Sequence, residues 1–146
     1  MKNQLRVLCA DDDDACELLA ATLGISNIAV KLVHTVADVL RLAQIELFDF
    51  YLLKTRLPDG NGFELCRRLR RFAPRTPVVF YSCEAYPIDR QKGLAGAVAY
   101  LVKPFSDDLA ATILQIKTTG KPPLLTRRIS LLLASDESPL KLLLEL

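Results

Sequence analysis

Five short apolar runs recur along the chain, each followed by a stretch in which apolar residues return every three or four positions. Leu5-Arg6-Val7-Leu8-Cys9-Ala10 is the first run and stops at four aspartates, Asp11 to Asp14. A near-continuous apolar run of this length predicts a buried strand. Beyond it Cys16, Leu19, Ala20 and Leu23 fall at i, i+3, i+4 and i+7, predicting a helix capped by Asp13 or Asp14 and ended at Gly24. Ala29 to Val33 is the second predicted strand. Thr35 then caps a helix with Val36, Val39, Leu40, Ala43 and Leu47 on one face. Phe48 to Leu53 is the third strand.

Leu57-Pro58-Asp59-Gly60-Asn61-Gly62 is a dense turn signal. The helix after it carries Leu65, Leu69 and Phe72 in one stripe. Pro74 and Pro77 bracket a loop before the fourth strand, Val78 to Tyr81. A weaker helix over Ile88 to Ala95 leads through Gly96 to the fifth strand, Ala99 to Val102. Ser106 caps a last helix, with Leu109, Ile113 and Ile116 facing inward and Asp107 and Asp108 in its first turn. Strands alternating with helices predict an α/β fold, a doubly wound parallel sheet covered on both faces. Ligands of such sheets meet the carboxyl ends of the strands. The residues to weigh are therefore Asp11, Asp12, Lys54, Ser82 and Lys103.

Composition narrows this picture. A chain of 146 residues buries roughly 70 % of its surface without a disulfide or metal staple. Nineteen Lys and Arg against 17 Asp and Glu leave +2, which points to neither nucleic acid nor a membrane surface as partner. Cys9, Cys16, Cys66 and Cys83 lack metal-ligand spacing and read as buried reduced thiols. His34, the one histidine, reads as an ordinary end-of-strand residue. No signal-peptide pattern and no apolar run approaching ~18 residues occur, so the expected compartment is the cytoplasm. Arg67, Arg68, Arg70, Arg71 and Arg75 read as a solvated helix face. Gly60-x-Gly62 fails the dinucleotide pattern, because Leu65 stands at the third glycine position.

Asp11 and Asp12 are adjacent carboxylates leaving a buried strand, an arrangement that asks for a neutralising cation. Mg²⁺ takes one or two carboxylates with waters and a phosphate oxygen; helix capping is the plainer role for an aspartate-rich turn. Lys103-Pro104 sets a cation at the same edge, and Ser82 offers a hydroxyl.

Three segments in order carry a family resemblance over residues 4 to 119. Val7-Leu8-Cys9-Ala10-Asp11-Asp12-Asp13, Leu57-Pro58-Asp59-Gly60-Asn61-Gly62-Phe63-Glu64-Leu65 and Tyr100-Leu101-Val102-Lys103-Pro104-Phe105 resemble the receiver domain of two-component response regulators. The resemblance implies a flavodoxin-like (βα)5 fold with strand order 2-1-3-4-5. It implies Asp11 and Asp12 as Mg²⁺ ligands, Lys103 as the phosphate-site lysine, and Ser82 and Tyr100 as switch residues. As a plainer alternative, Tyr100 is an amphipathic edge residue.

The family's phosphoacceptor aspartate ends the third strand, and Lys54 stands at that position. An ammonium cannot form an acyl phosphate, Asp49 lies at the other end of the strand, and Thr55 points to the opposite face. The family's site holds three carboxylates and a lysine, whereas Asp11 and Asp12 against Lys54 and Lys103 sum to zero. The expectation is a pseudo-receiver whose pocket is closed by an internal salt bridge, with no catalytic residue and no cofactor unless the acidic pair remains available to Mg²⁺. The alternative is a working phosphorelay receiver, accepting phosphate from a histidine kinase at another residue.

Gly120-Lys121-Pro122-Pro123 reads as a linker, and residues 120–146 as linker plus a helical leucine-rich tail, too short for a DNA-binding output domain. Ten leucines in residues 124–146 either fold back on residues 1–119 or build a homodimer. The fourth-helix to fifth-helix face is a second dimer surface to consider. The expected function is signalling through a protein partner, a histidine kinase or another signalling protein.

Overall fold

The computed structural model describes residues 4–12, 14, 16–83, 91–92, 96–103 and 109–121. Five parallel strands form one sheet: β1 (Leu5–Ala10), β2 (Ile28–Val33), β3 (Phe50–Leu53), β6 (Val78–Ser82) and β7 (Ala99–Val102). Two-residue strands β4 (Arg56–Leu57) and β5 (Gly60–Asn61) form a separate antiparallel hairpin. The order β2-β1-β3-β6-β7 is the expected 2-1-3-4-5 with the hairpin set aside. Helices α1 (Cys16–Ile25), α2 (Val36–Ile45), α3 (Gly62–Phe72) and α4 (Leu109–Thr119) cover the two faces. Among the described residues no helix is long and apolar enough to cross a membrane.

Alternation along β1 divides the core. Leu8 and Ala10 face Val39, Leu40, Leu65 and Leu69 of α2 and α3, whereas Val7 and Cys9 face Leu23 of α1 and Ile113 and Ile116 of α4. Because both faces are covered, the strands read as continuous apolar runs rather than alternating ones.

Helix starts are fixed by polar side chains. The Thr35 hydroxyl accepts the Asp38 amide at 3.1 Å, as the sequence predicts. A second cap comes from far along the chain: the Asp59 carboxylate accepts the amides of Val36 and Ala37 at 2.7 and 3.0 Å. The turn after β3 thus ties down α2, and those two amides hold the Asp59 carboxyl below its ordinary pKa. Asn61 caps α3 by accepting the Glu64 amide at 2.8 Å.

Several sequence-based expectations need correction. Helix α1 runs through Gly24 to Ile25, and the left-handed residue that follows is Asn27, at φ 61°. Asparagine tolerates that conformation better than most side chains. Leu47 lies beyond α2 and is 89 % exposed, because the helix stops at Ile45. Phe72, at the last turn of α3, is half exposed rather than part of the stripe with Leu65 and Leu69. Cys83 is exposed, unlike the other three thiols. Gln91 and Lys92 are helical; the rest of the predicted Ile88–Ala95 helix lies outside the described residues. So do Pro104, Ser106, Asp107, Asp108 and the tail from residue 122.

Candidate functional site

Four strand ends bring the predicted residues to one rim. Asp11 leaves β1 with its amide donating to the Val33 carbonyl at 3.0 Å, and the Lys54 amide donates to the Ala10 carbonyl at 2.9 Å. The Lys103 amide donates to the Ser82 carbonyl, also at 2.9 Å. These bonds continue the ladder one residue past each strand, so the side chains that follow meet above the sheet. His34 Nδ1 donates to the Asp11 carbonyl at 2.7 Å, so the histidine positions backbone.

Two ion pairs fill the space. Lys103 Nζ lies 2.5 Å from Asp11 Oδ2, and Lys54 Nζ lies 2.5 Å from Asp12 Oδ1. Asp11 is 2 % exposed and the Lys103 side chain 14 %, while the Lys54 side chain is 23 % exposed. The hydrogen bond to Asp12 raises the Lys54 pKa against the opposing effect of burial, helped by the charges of Asp12 and Asp11. Lys54 is therefore a cation at neutral pH and a poor nucleophile. Burial first, and the Asp11 charge second, push the Cys9 thiol up to about 12, which keeps it protonated beneath the site.

Metal chemistry can be tested on this donor set. A hard divalent cation needs anionic oxygens turned toward it, and here each carboxylate already receives a lysine ammonium. Two positive head groups at the rim would repel a further dication. This arrangement does not fit Mg²⁺.

Behind the ion pairs, Ser82 Oγ lies 2.9 Å from Thr55 Oγ1, and both residues are fully buried. The Tyr100 ring is buried against Phe80, centroids 5.9 Å apart. Gly62 closes the floor. Its amide donates to the Thr55 carbonyl at 2.7 Å, and a Cβ there would stand 2.2 Å from the Lys54 carbonyl oxygen. Only glycine lets the start of α3 approach the third strand end so closely.

Comparison with known proteins points to one family. The response regulator receiver domain family matches residues 7–115. The chain belongs to that family. The transcriptional regulatory protein CreB of Escherichia coli is 35 % identical over 107 residues, covering 73 % of this chain and 47 % of the relative. The response regulator protein PilR of Pseudomonas aeruginosa is 31 % identical over 122 residues, 80 % of this chain and 27 % of the relative. The receiver thus spans about half or less of the length of these two relatives. Among solved structures, the Francisella response regulator 1452 receiver domain superposes with a TM-score of 0.73 at 26 % identity, covering 80 % of this chain and 99 % of that one. The non-phosphorylated HemR receiver domain from Leptospira biflexa gives 0.70 at 28 % identity, covering 82 % and 98 %.

Thr55 is the site residue that sequence reasoning passed over. Its hydroxyl meets Ser82 rather than a charged group at the rim. A hydroxyl residue two positions past the third strand, with another ending the fourth, was the available signal.

Proposed function

We propose that this receiver is a pseudo-receiver: a signalling module that works through protein contacts, without phosphoryl transfer at residue 54. The observation that carries the reading is the Lys54 Nζ to Asp12 Oδ1 contact of 2.5 Å. It sets a fixed ammonium where the family carries its phosphoacceptor and supplies from within the positive charge a divalent ion would bring. The Lys103–Asp11 pair supports the same reading, since the phosphate-site lysine is already engaged. The switch residues fit a single state: Ser82 is tied to Thr55, and Tyr100 is packed inward. In this reading residues 1–119 are the signalling domain, residues 120–146 a linker and tail, and the partner is a cytoplasmic protein, a histidine kinase among the candidates.

Two measurements on the same protein test it. Calorimetric titration with Mg²⁺ should give no binding heat, and acetyl phosphate with Mg²⁺ should leave the intact mass unchanged. A Mg²⁺-dependent gain of one phosphoryl group on the wild type would overturn the proposal. Lys54→Asp is the companion variant. It removes the internal cation and adds a carboxylate, so Mg²⁺ should now bind and stabilise the fold by mass action, about 2.7 kcal/mol at a hundredfold excess over Kd, read as a higher thermal midpoint.

A further inference from the structure

Two adjoining cavities lie between the β4–β5 hairpin, the first turns of α3 and the turn before β7. The first, of about 400 Å³, is lined by Phe63, Cys66 and Phe80 together with Arg67, Arg70 and Lys92. The second, of about 460 Å³, runs along Thr55 and Arg56 and shares Asn61, Phe63 and Lys92 with the first. Phe63 and Lys92 thus stand where the two halves of one groove meet. Each half falls in the range of small-molecule sites, roughly 300–1,000 Å³.

The apolar wall is aromatic. Phe63, in the first turn of α3, packs its ring against Phe80 of β6 with centroids 5.2 Å apart and planes tilted by 56°. One turn on, the Cys66 thiol donates to the Gly96 carbonyl at 3.3 Å. Burial pushes the pKa of that thiol up, so the wall itself is neutral.

Cations surround the wall. Arg70 is held in place by donating to the Thr76 carbonyl at 2.6 Å and the Gly96 carbonyl at 2.9 Å, and neither bond cancels its charge. Arg67 pairs with the neighbouring Glu64. Lys92 is exposed and has no ion-pair partner among the described residues. Arg56 is exposed beside the second cavity. Among the described residues, no aspartate or glutamate lines either cavity. The lining therefore carries positive charge only.

A flat apolar body can stack on or edge against an aromatic ring. A carboxylate, sulfonate or phosphate is matched by guanidinium and ammonium donors, and more strongly in a recess than on open surface. A bare inorganic ion would leave the aromatic wall unused, and a neutral ring would leave the cations unused. We propose that this groove binds a small amphipathic organic anion, its flat apolar body against Phe63 and its acidic group met by Lys92 and Arg67. Lys54 and Lys103 line neither cavity, so the inference stands or falls independently of the pseudo-receiver reading.

Two dyes that share an apolar body and differ in charge test this on the full chain. Anilinonaphthalene sulfonate carries the anionic group, and phenylnaphthylamine lacks it. Fluorescence titration should show the sulfonate saturating one site, with an affinity about tenfold or more above that of the neutral dye. Arg67→Gln/Lys92→Gln, two exposed positions outside the core, should weaken the sulfonate by about tenfold and leave the neutral dye unchanged. In amide NMR spectra of the wild type, the sulfonate should shift Asn61, Phe63, Arg67, Lys92 and Gly96, which locates the site without any variant. Absence of saturable binding, equal affinity for the two dyes, or shifts that spare these residues would overturn the inference. So would a sulfonate affinity that the double substitution leaves unchanged.

Discussion

At the carboxyl-end rim Lys103 meets Asp11 at 2 % exposure, while the neighbouring Lys54–Asp12 pair is partly exposed. At the amino-end rim the partly exposed Glu46 serves two half-exposed cations, Arg6 at 2.5 Å and Lys31 at 2.8 Å. The Asp11–Lys103 pair and the Glu46 cluster thus place similar charges in different surroundings. A surface pair gains little, because water and salt screen it and long side chains lose freedom to form it. A buried pair adds little net stability when intact, yet removing one partner strands the other charge. The distances are alike at the two rims, so burial and not separation decides what each pair contributes.

The largest expected effect comes from breaking the buried pair. Asp11→Asn leaves the Lys103 ammonium without its counter-charge and should cost about 3 kcal/mol in urea unfolding. Adding Lys103→Met should recover most of that loss. If Asp11→Asn costs no more than a surface substitution, the carboxyl-end rim is wetter than its burial indicates and the contrast between the rims fails. Gly62→Ala comes next. Its Cβ would meet a backbone oxygen, which cannot swing aside as a side chain does, and about 2 kcal/mol should be lost.

Both effects rest on residues that the sequence made visible to different degrees. Strand ends were readable because each apolar run stops at a polar residue, and the parallel topology then gathers Asp11, Lys54, Ser82 and Lys103 at one rim without any knowledge of contacts. The pairing was not readable: nothing in the spacing says that Lys54 takes Asp12 and Lys103 takes Asp11. Asp59 as a cap for α2 was hidden for a similar reason, since capping is sought within a few residues and this cap lies in a turn after the next strand. Leu47 and Phe72 were misplaced because apolar periodicity continues past the point where a helix ends or leaves the core. Gly24 was misread because the flexible residue is not always the one that turns; Asn27 does so here.

Smaller effects sharpen the contrast. Thr55→Val removes a buried hydroxyl pair behind the rim and should cost about 1 kcal/mol, with the ion pairs left in place. Titration separates the rims by direction. Lys54 has its folded pKa raised above the ordinary 10.5, so its contribution is fully present below that value and is lost as pH rises through the folded pKa. The stability difference between wild type and Lys54→Met should therefore be flat from neutral pH to about 10 and shrink above it. Cys9 loses stability over the same alkaline range, as its pKa moves from 9.0 to about 12 on folding. That loss is common to both proteins and cancels in the difference. On the acid side the Glu46 pKa is lowered from 4.5, chiefly by hydrogen bonds from Lys31 and Arg6. Its contribution is present above that value and fades as pH falls through the folded pKa.

Glu46→Gln is expected to have the smallest effect, and its dependence on salt matters more than its size. Both of its cations are half-exposed, so any destabilisation at low ionic strength should shrink toward 1 M NaCl, where the Debye length falls from about 10 Å to about 3 Å. Asp11→Asn should keep most of its cost under the same conditions, since ions screen a buried pair poorly. Chemical denaturation in urea, which adds no charge of its own, can be run on both variants at low and high salt. Parallel salt curves would mean that the two rims share one dielectric environment, and the distinction drawn from burial would then be wrong. Diverging curves would assign the difference between these two sets of ion pairs to solvent access alone.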